Sequence, residues 1–541
     1  MAKRDARTPA RKAASKRGGR REAEVGRREA EVAKREAEVA TRTPRGSHQL
    51  PAVRVRMYRQ GLGDCFLVTF DVGRDEAHML IDCGTLGATT TGVTMAEVVR
   101  DIRGTTGDHL HVVVVTHEHK DHVSAFGSEK EAFDAMDVDQ VWLAWTENPN
   151  DRQAQKVAKQ KRDLAAALVQ TSHALGKETA SSESQAIGLA VRDVLAFSGD
   201  PDAASFAETI NAAMNHVRTG LAPRTRYVKP GDGPVSEEPW LKGFRIYVLG
   251  PPLGEDALND TGSHGSPDLY GLAASLGAGA ALRASGRTAT AYLAGADAGD
   301  RGAFEAAQPF DPRFRLERES TRARQTFPDY FAAAAAWRSV DDDWMHMASD
   351  LALQLDGATN NTSLALAIER IADGRVLVFP ADAQQGNWLS WQSIAWSVTD
   401  DGGTRAVTAA DLLSRAVFYK VGHHGSHNGT VNTHGLELMQ EEQELTAFIP
   451  VDRAVALSRN PKGSWRMPAV PLYRSLLEKC QGRVVRSDIG WADDAAAADN
   501  AKVEKELVGV AAPARWTTWR RSQRADRRVT ITDLFVDYLL D

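Results

Sequence analysis

The sequence predicts a mixed α/β fold that carries a metal site at its strand ends, and three observations support that reading. Val112 to Val115 form a continuous β-branched run, which suits a strand covered on both faces. Three other short apolar runs end, as this one does, in an acid or a histidine. The segments between the runs are long, polar and helical in pattern, so strands alternate with helices.

Thr116 marks where the chain leaves the first of these strands, and the next six residues read His117-Glu118-His119-Lys120-Asp121-His122. Extended side chains alternate, so His117 and His119 point the same way at one ion, while Asp121 and His122 can turn toward a second. Imidazole nitrogen mixed with carboxylate oxygen suits zinc, manganese or iron better than calcium or magnesium. The competing reading is a histidine-rich surface loop. Against it stand the other runs: His78 to Ile81 leads into Asp82-Cys83-Gly84, Arg375 to Phe379 into Pro380-Ala381-Asp382, and Ala416 to Val421 into Gly422-His423-His424-Gly425-Ser426. In α/β architectures sites assemble in the crevice outside the strand ends, so a dinuclear centre is expected.

These motifs resemble the metallo-β-lactamase fold superfamily. His117, His119, Asp121 and His122 fit its HxHxDH signature, Asp82 its preceding acidic motif, Asp382 its metal-bridging aspartate, and His423 and His424 its late histidine motif. Gly61-Leu62-Gly63-Asp64-Cys65, His423-His424-Gly425-Ser426 and the stretch from Asn360-Asn361-Thr362-Ser363-Leu364 to Asp382 are similar to the hydrolase domain of bacterial competence (DNA-uptake) proteins. That branch has phosphodiester-cleaving and phosphocholine-esterase relatives. The resemblance implies a four-layer αββα sandwich with helical insertions. It also implies a metal-dependent hydrolase with two divalent ions, zinc first and manganese second, that activate a water for attack.

The resemblance assigns roles as well. Metal ligands are expected among His117, His119, Asp121, His122, Asp382, His423 and His424, with Asp382 bridging and Asp121 also orienting the water. Asp82 is expected to hydrogen-bond a ligand histidine. One of His423 and His424 is expected to bind metal; the other hydrogen-bonds a phosphoryl oxygen or protonates the leaving group, and the sequence leaves open which is which. Ser426 reads as a donor to substrate or a helix cap.

Two positions depart from the pattern or compete with it. The run Phe244 to Leu249 looks like the strand that supplies a third histidine to the first ion in the superfamily, yet it ends in Gly250. His264, His173, His216, His346 or water are the substitutes on offer. Asp297 also follows a strand-like run and rivals Asp382 as the bridging acid, though Asp382 has the Asn-Thr-Ser strand before it and the histidine pair after it.

Composition fits an enzyme with a sizeable core: 541 residues, 42% hydrophobic, net charge −6. The longest apolar stretches fall well short of the ~20 residues that span a bilayer. The charged start lacks an apolar signal core, and Cys65, Cys83 and Cys480 are few and scattered, so the expectation is a cytoplasmic protein with reduced thiols. Residues 1–45 hold 15 Lys/Arg against 7 Asp/Glu, leaving 51 bases against 65 acids for the rest. Residues 1–50 therefore read as a basic, largely disordered tail. Arg-Glu-Ala-Glu-Val recurs in it at Arg21, Arg28 and Arg35, a heptad spacing that suits a marginal helix. The tail is a possible charge-mediated contact for a partner or nucleic acid, while the acidic body disfavours long duplex DNA.

Residues 51–541 read as the hydrolase domain, with insertions at about 126–240 and 254–345 that carry substrate specificity. The tryptophans at 142, 145, 388, 391 and 396 read as core before groove. The favoured activity is that of a phosphodiesterase or nuclease. The alternatives are a hydrolase of lactones, lactams or thiolesters, and a non-catalytic interaction module.

Overall fold

Val112 and Val114 face one way and Val113 and Val115 the other, and all four are buried, so this strand lies between two apolar layers. The computed structural model describes residues 50–73, 75–87, 89–175, 182–198, 208–262, 268–269, 320–330, 343–400, 403–459, 465–488 and 528–541. In chain order its main strands are β1 Val53–Tyr58, β2 Cys65–Asp71, β3 Glu76–Cys83, β4 Val112–Val115, β5 Val141–Ala144, β6 Thr225–Val228 and β7 Phe244–Val248. They continue with β8 Leu366–Arg370, β9 Val376–Phe379, β10 Ala416–Lys420, β11 Thr446–Ile449, β12 Val484–Arg486, β13 Val529–Ile531 and β14 Phe535–Leu540.

These strands make two large sheets. One has eight strands in the order β13-β14-β1-β2-β3-β4-β5-β6, the other six in the order β12-β11-β10-β9-β8-β7. Between them lies the main core, where Met57, Phe66, Val68, Met79, Ile81, Val112 and Val114 meet Ile246, Val248, Leu366, Ile368, Val378 and Phe418. On the outer face of the eight-stranded sheet, Leu67, Leu80, Val113 and Val115 pack with Val98, Val99 and Ile102 of helix α1, Met95–Thr106. Val470–Lys479 buries Leu472, Tyr473 and Leu476 in the same core cluster as the six-stranded sheet. The layering is the αββα sandwich.

Strand direction places the site. β3, β4, β5 and β6 run parallel, as do β9, β10, β11 and β12. β3 carries Asp82 at its carboxyl end, and β4, β9 and β10 open into Thr116, Pro380 and Val421, so all four motif runs lie where parallel strands end.

The region expected as the first insertion contains structure of the core sheet. β5 and β6 lie inside 126–240 and pair into the eight-stranded sheet. Each is only four residues long, too short for its alternation to stand out beside helical sequence. The added helices are α2 Arg152–Leu175, α3 Ser182–Leu195 and α4 Glu208–Thr219, all between β5 and β6. Of the second expected insertion, most residues lie outside those described; helix α5, Asp343–Asn360, follows it. The expected closing strand over 528–534 is β13 alone. β14 follows it and pairs along all of β1. Trp142, Trp145, Trp388, Trp391 and Trp396 are buried and pack in the interior. The tail residues 1–49 lie outside the described residues.

Candidate metal centre

Backbone strain marks the places where the site loops leave the sheets. Asp82, Ala381, His423 and His424 have φ of 56°, 53°, 43° and 51°, and they are four of the six non-glycine residues with positive φ among those described. Each costs of order 1–3 kcal/mol, which the surrounding fold must over-determine. The Asp82-Cys83-Gly84 and Gly63-Asp64 segments wrap the backbone of Asp121. A Cβ on Gly84 would stand 2.4 Å from the Asp121 carbonyl carbon, and the Asp64 N–H donates to the Asp121 carbonyl at 2.9 Å. Glycine there is a contact requirement.

Asp64, His122, Asp382 and His424 bring four potential ligand atoms within 4.8 Å of one another, all on buried side chains. His122 Nε2 lies 3.1 Å from Asp382 Oδ2, and His424 Nε2 lies 2.8 Å from Asp121 Oδ2 and 3.4 Å from Asp382 Oδ2. Asp121 and His424 are 303 positions apart in sequence. Lys420 Nζ sits among the acids, 2.5 Å from Asp64 and 3.1 Å from Asp382, and donates to the Ala381 carbonyl. Beside this group, His117 Nε2 and His119 Nδ1 converge at 3.1 Å.

Partners behind the cluster orient it. Asp82 Oδ2 lies 2.8 Å from His122 Nδ1, and Asp82 also accepts from the Thr116 N–H and hydroxyl. His424 Nδ1 faces the Pro450 carbonyl at 2.7 Å. The two late histidines are thereby distinguished: His424 enters the cluster, whereas His423 turns to Ser426 Oγ at 2.9 Å and Asn360 Nδ2 at 3.4 Å. Ser426 closes the 3-10 turn Gly422–Gly425 with its N–H, which donates to the His423 carbonyl at 2.8 Å. Its hydroxyl donates to Asn428 Oδ1 and meets His423.

Electrostatics divide the histidines. Burial lowers the His122 and His424 imidazoles, but the surrounding carboxylates, Asp382 foremost, outweigh it and raise both above the usual range. Burial dominates elsewhere, reinforced for His117 by neighbouring imidazoles: His117 is held well below its ordinary value, His119 at about 4 and His423 at about 3. Burial would raise Asp382, yet His122, Lys420 and His424 keep it well below the carboxylate range.

Gly250 has no room for an imidazole. A Cβ there would meet Asn387 Oδ1 at 2.1 Å, and Asn387 is fixed by donating to the carbonyls of Asn361 and Ser363 and accepting from Trp391 Nε1. Of the proposed substitutes, His216 is spent elsewhere, between the Phe126 carbonyl and Asp134, and His173 is exposed on α2. His264 and the rival acid Asp297 lie outside the described residues, as does the side chain of His346. Asp64, Lys420 and Asp356 are the neighbours that sequence reasoning left without a role. A lysine inside the apolar run Val417-Phe418-Tyr419-Lys420-Val421 was the available signal for one of them.

The donor set fits divalent metal. Buried Asp64 Oδ1 and Asp121 Oδ1 have no hydrogen-bond partner among the described residues, although they face a mixed nitrogen and oxygen cluster. Two sheets with outer helices and a carboxylate–imidazole cluster at their strand ends make an α/β sandwich of the kind seen in metallo-β-lactamase folds. Residues 58–138, from the end of β1 through the HxHxDH run, match the metallo-beta-lactamase superfamily. The match is to the superfamily and singles out no branch of it. No curated protein matches the chain. Superfamily match, fold and cluster together support a metal-dependent hydrolase. No helix among the described residues is long and apolar enough to cross a membrane.

Proposed function

We propose that this chain is a dinuclear phosphodiesterase or nuclease that uses zinc or manganese. One observation carries the two-ion reading: the imidazoles of His117 and His119 converge beside a second cluster of His122, His424, Asp121 and Asp382. His117 and His119 would hold one ion, Asp121, His122 and His424 the other, and Asp382 would lie between them. Two such ions lower the pKa of a water toward neutrality and clamp the oxygens of the attacked group.

The protein's own groups supply the remainder. Asp82 fixes the proton of His122 on Nδ1 and leaves Nε2 to the cluster, and the Pro450 carbonyl does the same for His424. Burial holds the His423 imidazole low, at about 3, which disfavours it as the acid for the leaving group. Its imidazole would hydrogen-bond a phosphoryl oxygen through Nε2 in the tautomer in which the Ser426 hydroxyl turns to donate to Nδ1. The resemblance of Gly61 to Cys65 and of His423 to Ser426 to competence-type hydrolase domains favours phosphodiesters, and the acidic body favours short or single-stranded ones over long duplexes.

The test is hydrolysis of bis(p-nitrophenyl) phosphate and of short single-stranded oligonucleotides by the protein loaded with zinc or manganese. Cleavage is expected, with loss to background in His119→Ala. Intact phosphodiesters together with opened lactones, lactams or thiolesters would reject the assignment.

A further inference from the structure

A metal-binding imidazole needs its outer nitrogen held, because the partner there decides which nitrogen keeps the proton and where the ring points. Three histidines of the centre satisfy this. His122 has Asp82, His424 has the Pro450 carbonyl, and His117 Nδ1 lies 3.1 Å from Thr116 Oγ1 and 3.3 Å from Ser363 Oγ. His119 is the exception. Its Nδ1 turns inward to His117, while its outer Nε2 is buried and makes no hydrogen bond among the described residues.

Asp356, on the last turn of α5, faces that nitrogen. Its Oδ1 lies 3.8 Å from His119 Nε2 and is also buried without a hydrogen-bond partner. Its other oxygen accepts from Asn360 Nδ2 at 3.1 Å, so the carboxylate is already oriented. An unmatched donor position and an unmatched acceptor confront each other across a gap about 1 Å longer than a charge-assisted hydrogen bond. A small rotation of either side chain closes it. The need is greatest on this side of the centre, since Gly250 and Asn387 exclude a third imidazole.

We propose that Asp356 is the positioning residue for His119: its carboxylate accepts the Nε2 proton, fixes Nδ1 as the ligand atom and strengthens the ion on the His117 side. The proposal rests on the two-ion reading above. It gives the helix that follows the second expected insertion a defined task, the same one that Asp82 performs for His122 from the core sheet.

Cobalt(II) titration of the full chain, followed by visible absorption, tests it. Wild type is expected to take up two ions. Asp356→Ala should weaken one of them about 10- to 100-fold and leave the other unchanged, with two ions restored at saturating cobalt. Asp356→Asn keeps an oxygen acceptor and should fall between the two, which also guards against a variant that merely misfolds. Equal affinities in wild type and Asp356→Ala would overturn this proposal alone. So would an ion missing from Asp356→Ala at every cobalt concentration, because Asp356 would then be a ligand itself. A wild-type chain that binds no cobalt overturns the two-ion reading and this proposal with it.

Discussion

The two sides of the centre share the run His117 to His122 but have different surroundings, and they hold their protons differently. Asp64, Asp382, Lys420 and His424 come from the ends of core strands in both sheets, Asp121 and His122 from the short helix Lys120–Val123 after β4, and all six side chains are almost completely buried. His117 and His119 leave the same core strand, but the surroundings of their loop come from added helices. Lys161 of α2 pairs with Glu118 at 2.7 Å, the Phe197 carbonyl after α3 accepts from the Lys120 N–H, and Asp356 comes from α5. The acid-rich core side raises the pKa of its imidazoles, whereas the His117 side lowers them. Where carboxylates are concentrated, protons and a lysine stand in for cations; where they are not, the nitrogens are already free to bind one.

The largest expected effect separates the two sides by stability. Lys420→Met leaves Asp64 and Asp382 buried without their ammonium and should cost about 3–5 kcal/mol in denaturant unfolding with chelator present. Lys161→Met touches a carboxylate whose side chain is 32% exposed, so about 1 kcal/mol or less is expected. Equal losses would erase the distinction.

A middle-sized effect is expected at the glycine. Gly250→His restores the residue type of the superfamily, yet it drives into Asn387 and should lower stability by about 1–3 kcal/mol without adding a bound ion. A gain in metal affinity would show that Asn387 yields, and that the His117 side accepts a third imidazole after all.

The smallest effect is a count of protons. A proton competes with a metal only below the pKa of the ligand. His119, at about 4, and His117, lower than usual, should therefore release almost no proton when their ion binds at pH 7. His122 and His424 are raised, so their ion should displace about one or two, and its affinity should fall as pH drops from 8 to 6 while the other stays constant. Calorimetric titration in buffers of different ionisation enthalpy reads both numbers, and equal release from the two sites would refute the contrast.

How much of this was legible in the sequence follows from distance and from strand context. Val112 to His122 could be read because strand, exit and ligands are contiguous, and the runs ending at Asp82, Asp382 and His423 repeat the same grammar. Lys420 stood out as a charge within an apolar run, but its role did not, because its partners Asp64 and Asp382 come from elsewhere in the chain. Asp356 was hidden more deeply, since only the orientation of α5 brings it to His119. The roles of His423 and His424 turned on two left-handed residues in succession, which no periodicity announces. Asn387 explains Gly250 only once the chain is folded. β14 was missed because Phe535 to Leu540 has meaning as the neighbour of β1, at the opposite end of the chain.

The contact between Asp121 and His424 also has a timetable. Loop closure across 303 positions adds little to the equilibrium cost, because that cost grows only logarithmically with length. Kinetically, such long-range pairing is slow, and the centre cannot close before both segments are present. At a synthesis rate of about 5–20 residues per second, roughly 15–60 s pass between the emergence of Asp121 and that of His424. During that interval the HxHxDH loop exists without its partners, so a chain halted or clipped before residue 424 carries the signature motif and an incomplete centre. The complete cluster is thereby confined to chains that extend through residue 424.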